Sequence, residues 1–225
     1  MVTESNFGLD GTLIDAAADI AAAATPVLAS HGLAPLSQSE AKSLLGNGLH
    51  AFIKRAFALR GAWASVEDVQ TYVEAYESAP IAKTRLYPGT ESVLRELRDD
   101  GWTMAVCTNK IESAAEKVLG ELGVLSCFQA VCGGDTVHAC KPDPNHLHIA
   151  VERTGILSGV AGEKYDCIVV VGDNRVDVLA ANACGIPSIF AAWGYGGMQS
   201  AQGATVVSDT IEDILNLLAT IRESA

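Results

Sequence analysis

Long basic stretches are missing from this chain. The longest is Lys54-Arg55, and 15 Lys and Arg against 27 Asp and Glu leave a formal net charge of −12. A surface of that sign repels polyphosphate backbones and anionic lipid, so neither nucleic acid nor a membrane is expected as a partner. No run of 18 apolar residues occurs; the Ala-rich stretch from Ala16 to Ala29 is broken by Asp19, Thr25 and Pro26, which removes it as a membrane span. The first residues lack the basic region and apolar run of a secretion signal. None of the six cysteines forms a CxxC pair, and several lie inside apolar runs such as MAVC and CIVVV. They are expected to be buried thiols of a cytoplasmic protein. No GxGxxG follows an apolar run, and no GK[ST] follows Gly-Tyr-Gly-Gly at 194–197, so dinucleotide and Walker-type sites are excluded. What is present is 225 residues, 49% of them hydrophobic, enough for one generous core with a modest insertion.

Past residue 87 the chain alternates short apolar runs with helical spacing. Thr103–Cys107, Phe128–Cys132, Cys167–Val171, Ser188–Ala192 and Ala204–Val207 are too short for helices. Several are apolar on both faces, as strands buried in a parallel sheet are. Between them, Glu91–Asp100, Ile111–Leu122, Asn145–Thr154, Asp177–Cys184 and Thr210–Ile221 carry apolar residues at helical period. The alternation predicts an α/β fold built on a doubly wound parallel sheet.

Residues 16–87 break that rhythm. Ala16–Ser30, Ser39–Leu45, Leu49–Leu59 and Val66–Ser78 read as four successive helices, with start signals at Ser37, Ser39 and Glu40 and breaks at Gly32, Gly46, Gly48 and Gly61. The expected organisation is an α/β core of 1–15 and 88–225, with 16–87 inserted as an α-helical cap. The return is expected at the turn Tyr87-Pro88-Gly89-Thr90.

In open α/β sheets ligands sit beyond the carboxyl ends of the strands. Four polar clusters follow apolar runs: Asp10-Gly11-Thr12, Thr108-Asn109-Lys110, Lys141-Pro142-Asp143 and Gly172-Asp173-Asn174-Arg175-Val176-Asp177. Singly each has an ordinary reading, as a turn, a helix cap or a solvated loop. Together they suit one chemistry. Asp173 and Asp177 supply hard oxygens for magnesium, the Thr108 hydroxyl and the following backbone N–H groups suit phosphoryl oxygens, and Lys141 adds fixed positive charge. His146 and His148, two apart, do not share a helical face and are not expected to bind zinc. Arg55 reads as a solvated helix arginine, and the tryptophans as packing anchors.

These pieces resemble the haloacid dehalogenase superfamily of phosphohydrolases, and within it the phosphoglycolate phosphatases with a helical cap. DGTLID at 10–15, TN at 108–109, GGDTVHACKPDPNHL at 133–147 and GDNRVDVLAANACGI at 172–186 carry the resemblance, with LGNGLHAFIKRAF at 45–57 similar to the cap segment and RLYPGT at 85–90 to its return. The resemblance implies magnesium-dependent hydrolysis of a small phosphorylated metabolite by a monomer or homodimer. It implies Asp10 as acid/base and as a carbonyl ligand of Mg2+, Thr108 and Asn109 as phosphoryl ligands, and Lys141 as the charge-balancing residue. Asp173 would bind the metal, Asp177 would act on it through water or hold Lys141, and Gly46 and Asn47 on a cap loop would face the substrate.

One residue departs from the pattern. The family's first motif reads Asp-x-Asp-Gly-Thr, its first aspartate attacking phosphorus to form an aspartyl-phosphate; here that place holds Gly8. Losing a covalent nucleophile lowers turnover by roughly 10⁴- to 10⁶-fold in enzymes of comparable logic, so severe impairment is expected. A phosphate- or metal-binding protein without catalysis is the alternative. The segment before Gly8 is also unusual, since Glu4 and Asn6 fall where a central strand carries apolar side chains.

Overall fold

The computed structural model describes residues 3–79, 81–155 and 167–224. In chain order its elements are β1 (Thr3–Phe7), β2 (Ile14–Asp15), α1 (Ala17–Ser30), α2 (Gln38–Leu44), α3 (Gly48–Leu59), α4 (Val66–Ser78), β3 (Arg85–Leu86), α5 (Thr90–Asp99), β4 (Thr103–Cys107), α6 (Glu112–Glu121), β5 (Ala130–Cys132), α7 (Pro144–Arg153), β6 (Cys167–Gly172), α8 (Arg175–Cys184), β7 (Ser188–Ala191), β8 (Val206–Ser208) and α9 (Asp213–Ser224). Six strands form one parallel sheet in the order β5-β4-β1-β6-β7-β8. The doubly wound α/β fold expected from the alternation is the fold observed.

The helices cover both faces because the strands are apolar on both. Met104, Val106, Val169 and Val171 pack with residues of α5, α6 and α9, whereas Cys107, Cys132 and Val170 pack with Leu147 and Ala150 of α7 and Ala180 and Ala181 of α8. β1 lies at the middle of the sheet, between β4 and β6. Its chain order therefore reverses beside β1, and the crevice that such a switch opens lies past the carboxyl ends of β1, β4 and β6.

β1 is buried along its whole length despite its polar sequence. Glu4 and Asn6 point to one face, where the Asn6 amide donates to Glu4 Oε1 at 2.8 Å and the Thr154 hydroxyl at the end of α7 donates to Glu4 Oε2 at 3.2 Å. Burial pushes the Glu4 carboxyl up to about 7, against those hydrogen bonds. Glu4 is thus tolerated by pairing with Asn6 and with α7, while Ser5 Oγ and Asn6 Oδ1 are buried without a hydrogen-bond partner among the described residues.

α1–α4 pack on one another around Leu28, Phe52, Ile53, Phe57 and Tyr72, all fully buried, with the Phe52 and Tyr72 rings stacked at 5.7 Å. Ser37 opens α2 and Ser65 opens α4, each in a reciprocal capping box. The two-residue strands β2 and β3 pair antiparallel where the chain leaves for these helices and comes back. Gly89, with φ +83°, occupies the cap position before α5. No described helix is long and apolar enough to cross a membrane.

Candidate active site

A cavity of about 50 Å³ lies in that crevice, closed on one side by the loop between α2 and α3. Gly8, Asp10, Gly46, Thr108, Asn109, Lys141, Asp173 and Asp177 all line it. Asn47 does not; it is exposed, and its neighbours Gly46 and Gly48 face the cavity instead. At the start of α3 the Asn47 side chain makes no capping bond.

The loop after β1 turns tightly, with the N–H groups of Thr12, Leu13 and Ile14 all donating to the Leu9 carbonyl. Gly11 sits at φ +89°, and a Cβ there would collide with the Asp173 carboxylate. The turn aims Asp10 into the cavity. Lys110, at the end of the loop after β4, reaches Asp10 from the other side, with Nζ 3.0 Å from Oδ1 and 2.8 Å from Oδ2. Burial opposes the charged form of Lys110, but the Asp10 carboxylate prevails and lifts the ammonium above its ordinary value. Tyr76 of α4 lays its ring 4.9 Å from the same ammonium.

Lys141 makes a second pair. Its Nζ lies 2.6 Å from Asp177 Oδ1 and also donates to the Cys107 carbonyl. Burial works against this ammonium too, and the Asp177 charge raises it. Asp177 Oδ2 accepts the Asn174 N–H at 2.9 Å, closing a capping box that starts α8. His146, buried in α7, holds the Lys141 backbone: Nδ1 accepts the Lys141 N–H at 3.2 Å and Nε2 lies 3.2 Å from the Cys132 carbonyl. That arrangement places the ring proton on Nε2. Burial and then Lys141 push His146 down to about 4, so the ring is neutral at physiological pH.

Asp173 forms no salt bridge among the described residues. Its Oδ1 accepts the Thr12 hydroxyl at 2.9 Å and its Oδ2 the Tyr195 N–H at 2.9 Å. Burial, and then the neighbouring Asp177 charge, push its carboxyl above the ordinary range. Cβ atoms at Gly194 and Gly196 would run into Asp173, so these two glycines serve as a wall around this residue. Trp193 fastens the same wall, its Nε1 donating to the Thr12 carbonyl at 2.9 Å.

The Asn109 amide donates to the Gly46 carbonyl at 3.1 Å and to the Lys141 carbonyl at 3.0 Å. Its side chain is thereby engaged in joining two loops, and its own N–H remains as the group that can meet a phosphoryl oxygen. Thr108 is buried with its Oγ1 accepting the Lys110 N–H at 3.2 Å, which leaves the hydroxyl proton available. At Gly8 a Cβ would meet Thr12 Oγ1 at 2.7 Å, so admitting one shifts the hydroxyl that bonds Asp173.

For magnesium the fit is narrow. Among the described residues no group of three or more His, Cys, Asp or Glu side chains is gathered to hold a metal ion, and two of the three aspartates are neutralised by lysines. Asp173 remains, a buried carboxylate that forms no salt bridge among the described residues. Magnesium is commonly held by one or two carboxylates together with substrate phosphate and water, and Asp173 meets the lower of those requirements.

Sequence reasoning named Lys110 and Thr12 only as members of their clusters, weighed His146 only as a zinc ligand, and gave Tyr195 no role.

A six-stranded parallel sheet with three aspartates and two lysines at its switch point defines a class of hydrolase folds. The chain belongs to the haloacid dehalogenase-like hydrolase family, whose model matches residues 7–191. It is 38% identical over 184 residues to a phosphoglycolate phosphatase of Cereibacter sphaeroides, covering 80% of each chain. It is 37% identical over 193 residues to a phosphoglycolate phosphatase of Agrobacterium fabrum, covering 84% of this chain and 80% of that one. Among solved structures it is similar to a predicted phosphoglycolate phosphatase from Haemophilus somnus, with a TM-score of 0.82 and 23% identity over 96% of this chain and 97% of that one.

Proposed function

We propose that the cavity is a phosphomonoester-hydrolase site for a small phosphorylated metabolite, 2-phosphoglycolate being the substrate that the curated relatives' names suggest. The observation that carries the reading is the convergence of Asp10, Thr108, Lys141 and Asp173 on one cavity from four separate loops. Thr108 and the backbone N–H of Asn109 receive the phosphoryl oxygens. Lys141, held by Asp177 and His146, supplies fixed positive charge. Asp10 serves the leaving oxygen as proton donor and water as proton acceptor. Asp173 and the Asp10 carbonyl would hold Mg2+, which when bound stabilises charge on the phosphoryl group. Residues 16–87 act as the cap, the loop at Gly46 resting on Asn109. The six cysteines are free thiols, in keeping with a cytoplasmic setting.

Gly8 stands at the position of the attacking carboxylate, and turnover by this chain is correspondingly slow. Replacing it tests the reading: Gly8→Asp is expected to raise hydrolysis of p-nitrophenyl phosphate with magnesium by about 10⁴-fold or more. Equal rates for the two proteins would overturn it. The missing side chain at Gly8 also favours a second reading, a binder of phosphate without catalysis. That reading predicts saturable binding of inorganic phosphate with no turnover even in the Gly8→Asp protein.

A further inference from the structure

The helical segment carries a face that the hydrolase reading leaves unused. Trp63, in the turn between α3 and α4, is 91% exposed, and Val66, which opens α4, is 86% exposed. Leu59, at the end of α3, is half-exposed. Single apolar residues at a surface are ordinary, but a tryptophan and two aliphatic side chains around one interhelical turn make a patch. The patch runs into a groove between the two helices, lined by His50 of α3 and by Val66, Val69, Gln70, Val73 and Glu74 of α4. None of these residues lines the cavity beyond the sheet.

The helices on the two sides of the groove differ in sign. α3 carries Lys54 and Arg55 and no acid, whereas α4 carries Glu67, Asp68, Glu74 and Glu77 and neither Lys nor Arg. His50 and Lys54, four apart, share one side of α3, as Gln70 and Glu74 share one side of α4. Lys54 and Glu74 enter no ion pair among the described residues. A partner of one charge sign gains on one of these helices and loses on the other. A second copy of this chain does not. A two-fold axis along the groove lays α3 of each copy over α4 of the other, so that basic meets acidic twice, and it brings the two Trp63 turns to the same end. That match also offsets the net charge of −12, which otherwise holds two copies apart.

We propose that two copies of this chain pair through the α3–α4 face, with Trp63 and Val66 at the apolar end of the contact and Lys54 opposite the partner's Glu74. The pairing goes beyond the hydrolase reading and does not depend on it. Its strength follows from its size. Helices of 12 and 13 residues are about 20 Å long and about 10 Å wide each, so each copy offers a footprint of about 400 Å². A standard stable interface takes roughly 800 Å² from each partner. The dimer is therefore reversible, with a Kd on the order of 10–100 μM.

Sedimentation velocity of the unaltered protein at low salt, from about 2 μM to about 500 μM, should show a monomer passing into a dimer. Trp63→Ser should raise Kd by roughly 100-fold, because each dimer holds two copies of an anchoring tryptophan. Lys54→Glu and Glu74→Lys should each raise Kd by about tenfold, since either reversal sets like charges opposite each other twice in one dimer. An equimolar mixture of those two variants should return to within about threefold of the unaltered Kd, because in the mixed dimer each reversed charge meets its opposite. All three positions are exposed, so circular dichroism should be unchanged throughout. A monomer over the whole concentration range would overturn the proposal. So would an unchanged Kd in Trp63→Ser, or a mixture that associates no more tightly than its two components.

Discussion

At the carboxyl end of the sheet, Asp173 is buried among backbone N–H groups, the Thr12 hydroxyl and the charges of Asp177 and Lys141. At the opposite end, Glu4 is buried on the central strand, where its partners among the described residues are the Asn6 amide and the Thr154 hydroxyl. Burial raises both carboxyls above their ordinary values. A displaced carboxyl therefore does not mark a site by itself. What separates the two is the surroundings: Asp173 borders a cavity that two lysines enter, whereas Glu4 borders the underside of α7.

Four substitutions sharpen the contrast. The largest effect is expected for Lys141→Met, which strands Asp177 in the interior beside Asp173. Breaking a buried ion pair from one side costs about 3–5 kcal/mol, to be read by urea denaturation at neutral pH, and inorganic phosphate binding followed by calorimetry should vanish with it. At the other end of the sheet, Glu4→Gln should stabilise. The folded protein holds the Glu4 proton more tightly than the unfolded chain, with a value of about 7 against an ordinary 4.5. Stability from this group is complete below 4.5 and is lost as pH rises through 7, a loss of about 3 kcal/mol by roughly pH 8. Glu4→Gln should remove that dependence, gaining about 3 kcal/mol at about pH 8 and almost nothing at about pH 4; a parallel pair of stability–pH curves would contradict it. The smallest effect separates neighbouring glycines. Gly196→Ala drives a Cβ into the Asp173 backbone carbonyl and should cost about 1–3 kcal/mol, whereas Gly197→Ala has open space and should stay within about 0.5 kcal/mol. Equal thermal midpoints for the two would break the account of the wall around Asp173.

The same comparison shows what could be read without coordinates. Thr103–Cys107 is legible to the residue because an apolar run on both faces has one physical explanation, a central parallel strand. β1 is less legible because Glu4 is satisfied by the Asn6 amide and by Thr154, a partner 150 residues away. The two-residue strands β2 and β3 carry no period at all, so their pairing is invisible until the chain ends meet. In the site, Asp10, Thr108, Lys141 and Asp173 were legible as strand-end residues of the right chemistry. Lys110 was not, since a lysine in a loop looks solvated unless its carboxylate is known. Asn47 was read into the pocket because its loop enters, and the loop does so with the glycines on either side of it.

Trp193 gives the protein a built-in optical reporter. Its indole is tied to the Thr12 carbonyl, one bond network away from Asp173, while Trp102 is buried against Arg222 and Trp63 is almost wholly exposed. The three fluorophores thus occupy three different environments. The one at 193 is bonded to the loop that carries Asp10, so its emission will follow movements of that loop that the other two do not sense.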